Sequence, residues 1–400
     1  MILEEILRNL KNGFLTLDQT PVKYRSNPKV VLEALSRKNN RYPGRSPLSY
    51  AADNLRSNTQ FIIKASKETH LILSWASKDI RANRDIVIQV VRDWGWALEW
   101  ASEELKNDRE VVLEAVRDTG CALMFASSRL KADREVVLEA IKDKYLDGRD
   151  GSALKYAMEP LLNDKGFMLE VIEKDGKNLQ YASRDLRSNR DLVLKALKES
   201  GKALAYASES LRANKEVVLI AVQNDGTALQ FASENLRANW EVVREAIAQS
   251  GFAFEYASEN LRANRILILS AVRNWGYALQ YASKDLRSDR DFVLQAVRSR
   301  GEAVLYASKN LKADRCVILA AVQNNKIALG YAAKELQSDG ILRAIAGKSV
   351  KRDELLDAAR NEFDNQVYDE KLFKLALSET SEKPENSRRQ YIKMRVKQFK

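Results

Sequence analysis

The chain has 400 residues, 66 lysines and arginines against 55 acids, a net charge of +11, 45% hydrophobic residues and a single histidine. That apolar share supports a sizeable core, and no apolar run approaches the roughly 18 residues of a membrane span. Cys121 and Cys316 lie far apart, which excludes a disulfide framework and fits a reducing compartment, so a cytoplasmic location is expected.

The first 13 residues, MILEEILRNLKNG, place Ile2, Leu3, Ile6, Leu7 and Leu10 on one face of an amphipathic helix, expected to cap one end of the fold. Glu4 and Glu5 interrupt any signal-peptide core, so no cleavable signal is expected. From 14 to 347 the sequence repeats itself. GTALQFASENLRANWEVVREAIAQS at 226–250 is followed by GFAFEYASENLRANRILILSAVRNW at 251–275, a 25-residue period. Units begin at 45, 70, 95, 120, 151, 176, 201, 226, 251, 276, 301 and 326, with a degenerate unit from 14 and six extra residues in the unit that begins at 120. A short fixed period means stacked repeats that bury a continuous core.

Within a unit, Leu recurs at the fourth and eleventh positions, an aromatic residue at the sixth and Ala at the seventh. These spacings are helical rather than alternating, and the aromatic ladder, Tyr256 included, is expected in the core. Asn or Asp at the fourteenth position, just before runs such as REVVLEAV, predicts the N-cap of a second helix, with an acid two residues on that suits its positive end. The serine at the eighth position reads as a helix-end hydrogen-bonding group, and the opening glycine as a C-cap with positive φ. The predicted fold is all-α, an elongated α-solenoid of about a dozen 25-residue two-helix repeats.

The unit from 151 departs from the pattern with Met158, Pro160, Leu162 and Gly166, which predicts a kink, hinge or special contact over 142–170. Residues 348–380 read as C-terminal capping helices and 381–400 as a solvated or partly helical basic tail. Residues 388–400 hold six cations and no acid, and taking those six from +11 leaves +5 for the rest.

The unit ALQYASKDLRSDRDFVLQAV and its copies over 45–346 resemble the tandem repeats of the family called domain of unknown function 4116, found in bacteria, protists and large viruses. Such repeats also occur in proteins injected into host cells, so the resemblance implies a bacterial effector acting in host cytoplasm as one role. The family name implies no activity.

The second, fifth and ninth positions vary between units on a constant frame, which is how repeat proteins read partners. Trp96, Glu99, Phe252, Glu255, Tyr277 and Gln280 are therefore the candidate residues for binding a protein or peptide, with Trp94 and Trp275 either adding to that surface or packing over the turns. The twelfth position carries a basic ladder, clearest at Arg187, Arg212, Arg237, Arg262 and Arg287. It reads either as a phosphate track or as a structural cation that offsets the end of the first helix while its stem packs on apolar neighbours. Acids at the sixteenth position are expected to pair with it. His70 stands alone and no phosphate-cradling glycine loop is present, so no catalytic residues, metal ligands, cofactor or small-molecule substrate are expected. The chain is thus expected to be a non-enzymatic protein-interaction scaffold. Nucleic-acid binding through ladder and tail is the alternative, and attachment of the tail to a membrane surface a third reading.

Overall fold

The computed structural model describes residues 3–36, 47–142, 153–364 and 384–398. Among them there is no β-strand, and the chain is an all-α repeat solenoid. It divides into two compact units, Met1–Val171 with Gln180–Leu186, and Ile172–Leu179 with Arg187–Lys400. Both are built from the same repeat.

That repeat is finer than the two helices expected from the spacing. In 95–119, Gly95–Trp100 form a 3-10 helix, Glu103–Lys106 a single α-turn and Arg109–Asp118 a longer α-helix. Ala101 and Ser102 between the first two are extended, at ψ 158° each. Spacings of three and four do not reveal this corner, because a tight 3-10 turn followed by an α-turn keeps the fourth and eleventh residues on the core side. Ser102 caps the short turn, its Oγ accepting the Leu105 N–H. Asp108 caps the long helix, accepting from Glu110 and Val111 at 3.0 and 3.1 Å. The expected N-caps recur in both units, for example at Asn83, Asn214 and Asn239.

The core comes from Ala97 and Leu98 of the 3-10 helix and Val111, Val112, Ala115 and Val116 of the long helix, all essentially fully buried. Ala203, Leu204, Val217, Val218, Ala221 and Val222 repeat this in the second unit. The sixth-position aromatics do not join it. All twelve are only half-buried, Tyr256 among them. Each closes the short first helix, a 3-10 turn in all but Trp75, beside the extended corner at the edge of the stack, so the column is a surface feature.

The opening glycines also have a different role from the one expected. Among the described glycines, only Gly13 and Gly347 have positive φ, at 87° and 74°. The repeat glycines are required by close approach: a Cβ at Gly95, Gly201 or Gly226 would collide with the carbonyl of Ala115, Ala221 or Ala246 in the long helix of its own repeat.

Three interactions tie one repeat to the next. The N–H of the eighth residue donates to the carbonyl of the preceding twelfth, as in Ser102 to Arg81 and Ser208 to Arg187 at 2.9 and 3.0 Å. The twenty-fourth residue forms a clip. Asn224 Nδ2 donates to the Lys198 carbonyl at 2.9 Å while its Oδ1 accepts the Gly201 N–H at 2.7 Å, and Asn324 does the same with Arg298 and Gly301. Last, the fifteenth-position cation pairs with the acids of the following repeat. Arg84 reaches Asp108 and Glu110, and Arg109 reaches Asp133 and Glu135. In the second unit Arg190 reaches Glu216 and Lys215 reaches Glu241. The sixteenth-position acids are therefore partners of the fifteenth position, not of the twelfth-position ladder.

At the start of the first unit, the helix Leu3–Asn12 buries Ile6 and Leu10. The degenerate repeat carries a capped helix at Pro28–Leu35, and its Arg25 carbonyl accepts the Ala52 N–H at 3.0 Å. The expected kink falls partly on 143–152, outside the described residues. In its described part the stacking bond is regular, Met158 N–H to Lys131 carbonyl at 3.0 Å. Pro160 sits in the first turn of the helix Glu159–Leu162, where a missing N–H is tolerated.

The second unit ends on a helical cap. Arg352–Asp364 pairs with Pro384–Lys397, burying Leu355, Ala359, Tyr391, Ile392 and Val396. The other residues of the expected capping helices, 365–380, lie outside the described residues. Of the two readings of the tail, solvated or partly helical, residues 384–397 take the helical one, and the helix is docked. Arg388 is held by Asp364 at 2.8 and 2.7 Å, and Arg395 is buried on Glu362.

Candidate functional site

The corner at the seventh and eighth residues presents the second and sixth side chains along one edge, and the extended residue that ends each repeat adds a third. In the second unit these positions converge. Phe252 and Trp275 have ring centroids 5.2 Å apart, Trp275 lies 6.0 Å from Tyr277 and 6.1 Å from Tyr281, and Tyr277 lies 6.1 Å from Tyr306. Most of these contacts are edge-to-face, the favoured packing of aromatic quadrupoles. The cluster thus crosses three consecutive repeats. Trp275, Tyr277, Tyr281 and Tyr306 stay half-buried, and Phe252 is exposed at 36%.

Glu255 and Glu302 border the rings. Burial, together with a hydrogen bond to the Glu255 carboxylate, pushes the Tyr281 hydroxyl up to about 12. The Tyr277 hydroxyl is raised by its hydrogen bond with Tyr331 and by nearby charge that includes Glu302. Glu302 also accepts from Asn325 Nδ2 at 3.1 Å. The result is a ridge of partly exposed rings with carboxylates at its margin, suited to holding apolar and cationic side chains.

Of the six candidate residues, Phe252 and Tyr277 are brought together through Trp275, and Glu255 joins them by way of Tyr281. Gln280 lies half-buried in the same repeat as Tyr277. Trp96 and Glu99 belong to the first unit. Trp96 is 44% exposed and edges against Phe125 at 5.9 Å. Trp94 packs over the preceding turn, its Nε1 donating to the Ser66 carbonyl at 2.6 Å. Exposed His70 lies beside it, 5.8 Å from the Trp94 ring.

The twelfth-position ladder is half-buried. Arg187, Arg212, Arg237 and Arg287 give their carbonyls to the stacking bond. The Nε atoms of all five ladder arginines, Arg262 included, are buried with no hydrogen-bond partner in the protein. Arg56, at the same position in the first unit, shows one way to satisfy such a donor. Its Nε donates to the Trp75 carbonyl at 2.8 Å and its guanidinium lies 5.9 Å from the Trp75 ring centre. Arg237 and Arg262 approach Glu234 and Glu259 at 3.9 Å.

The family described as Domain of unknown function (DUF4116) matches at 83–127, 109–162, 164–212, 214–262, 264–311 and 300–337, more than half of the chain. The chain belongs to the DUF4116 family. No curated protein matches it. Five of the six DUF4116 matches span about two repeats. Among the described residues no His, Cys, Asp or Glu side chains gather as a metal-ligand set, and no helix is long and apolar enough to cross a membrane.

Sequence reasoning missed two features of these DUF4116 repeats. The fifteenth-position cation escaped because its partners lie 24 and 26 residues away, beyond any local helix spacing. Its signal was the recurrent basic-acidic pair that opens many of the long helices, as at Arg84-Asp85, Arg109-Glu110 and Lys215-Glu216. Trp240 and Ile266 are the second. Trp240 takes the place of the fifteenth-position cation and Ile266 that of the next repeat's acid, 42% and 71% exposed. At that one step the ion pair gives way to two apolar side chains, with the Arg244 guanidinium 5.2 Å from the Trp240 ring centre.

Proposed function

We propose that this protein is a non-enzymatic scaffold that binds a protein or peptide through the varied edge of its second unit, centred on Phe252, Trp275 and Tyr277. The supporting observation is the aromatic ridge. Its rings cross three repeats, remain partly open to solvent and are bordered by Glu255 and Glu302. Rigid aromatic anchors of this kind dominate binding energies. Action inside a host cell, as an injected effector, belongs to the same proposal and is tested by translocation of a reporter fusion.

Selection of peptides from a displayed random library against the full chain tests the binding role. Enriched peptides are expected to combine apolar and basic residues, and Trp275→Ala is expected to weaken them by roughly thirtyfold. Failure to enrich any sequence, or equal binding by Trp275→Ala, would overturn the reading.

The nucleic-acid alternative draws support from Arg56 over Trp75, which sets a ladder cation beside an aromatic ring as strand binders do. It predicts affinity for single-stranded nucleic acid that falls steeply with salt and persists in a chain ending at Thr380.

A further inference from the structure

The first unit holds a groove of about 700 Å³ between the helices Leu3–Asn12, Pro28–Leu35 and Thr59–Ser66, well away in sequence from the aromatic ridge. Leu7 and Leu32 form its half-buried apolar floor. Arg8, Lys11, Lys29, Lys64 and Lys67 stand around it, against Glu33 and Glu68. The cations arrive from separate elements: two from the first helix, one from the second and two from the third helix and its C-cap.

Several cations elsewhere on the helix faces are matched by acids. Arg92 takes Glu114 of the neighbouring repeat, while Arg117 with Glu114 and Lys142 with Glu139 pair within one repeat. In a second groove, Arg290 is bound to Asp314 and Asn324 to the Arg298 carbonyl. At the N-terminal groove only Lys67 is so matched, by Asp93. No ion pair among the described residues holds Arg8, Lys11, Lys29 or Lys64.

We infer that this groove is a docking site for an acidic amphipathic helix of a partner protein, with apolar residues on the Leu7 and Leu32 floor and carboxylates against the lysine rim. Charge complementarity selects the acidic partner, and the apolar floor selects an amphipathic one. The floor has no aromatic ring for a base to stack on, and the cations encircle one cavity instead of tracking along the stack, which disfavours nucleic acid. The site is independent of the aromatic ridge.

The test titrates the full chain with a fluorescent peptide of roughly five helical turns, leucines on one face and glutamates on the other. Three further probes accompany it: the same length of polyglutamate, single-stranded DNA, and vesicles containing phosphatidylserine. The leucine-glutamate peptide is expected to bind tightest. Lys29→Glu with Lys64→Glu, both at exposed side chains, is expected to weaken it at least tenfold with thermal unfolding unchanged. Leu32→Gln is expected to weaken it while sparing what little polyglutamate binds, and Trp275→Ala to leave it unaltered. Equal binding of the charge-reversed chain, equal affinity for polyglutamate, or tighter binding of DNA or vesicles would each overturn the assignment. Loss with Trp275→Ala would move the peptide to the aromatic ridge and overturn it as well.

Discussion

A half-buried ring and a buried one look alike in a repeat alignment, and the difference sets what a substitution does. Phe254 at the fourth position is fully buried, whereas Tyr256 two residues later is half-exposed. Phe254→Ala is expected to cost about 3–5 kcal/mol because it empties a packed site. Tyr256→Ala is expected to cost less than half of that, so paired denaturant titrations should separate the two; equal losses would put Tyr256 back in the core. The glycines permit a second comparison. Gly226→Ala drives a methyl group into the Ala246 carbonyl and should cost roughly 1–3 kcal/mol. Gly330 has open space around its Cα, so Gly330→Ala should leave stability unchanged or raise it by up to about 1 kcal/mol. A similar change in melting temperature for both would contradict the close-approach account.

At the scale of the element, each short helix is too small to be stable alone, and the repeat-to-repeat bonds supply the order. Ion pairs are part of that supply. The Arg84 guanidinium holds the Asp108 carboxyl below its usual range, and Arg92, Lys215 and Arg265 do the same for Glu114, Glu241 and Asp289. A carboxylate whose folded pKa is depressed stabilises the fold above its unfolded value, near 4, and that contribution is lost as pH falls through the folded value. The melting temperature should therefore hold level from neutral pH down to about pH 5 and decline below about pH 4, with a shallower decline in high salt because these pairs are exposed. A melting temperature that rises on acidification would exclude the pairing. The loop-like corner at Ala101 and Ser102 belongs to this scale too. It was invisible in the sequence because Ala-Ser is compatible with a continuing helix, and the stacking bond from Ser102 to the Arg81 carbonyl is what fixes the turn.

For the molecule, the questions are how a repeat array ends and where its charge goes. The second unit closes on Glu362, 2% exposed, which accepts Tyr391 Oη at 2.9 Å, Arg395 Nε at 3.1 Å and Arg315 Nη1 at 2.9 Å. Arg315 is the fifteenth-position cation of its repeat, so the cap continues the ion-pair ladder with a residue from outside the repeats. Removing one partner of such a buried network is costly. A chain ending at Thr380 loses the helix 384–397, leaves Glu362 without two partners and opens the cluster around Leu355 and Ala359. Its melting temperature should fall by several degrees, and Tyr391→Ala should reproduce much of that fall. No change in either variant would mean that the helix does not cap the unit. The free positive charge of residues 388–400 is reduced accordingly, because Arg388 and Arg395 are held by Asp364 and Glu362.

The period, the helical class, the N-caps, the family and the identity of Phe252 and Tyr277 as varying surface positions are all legible in the amino-acid order alone. Each is a local or periodic property: a cap acts within three residues, and a repeat announces itself by recurrence. It took the packed chain to establish which rings face solvent, that Trp275 joins Phe252 to Tyr277, that the glycines lie under a carbonyl, and that the ladder of ion pairs runs through the fifteenth position. Those outcomes depend on contacts about one repeat apart in sequence, where side-chain direction and the angle between neighbouring repeats, not local spacing, select the partner.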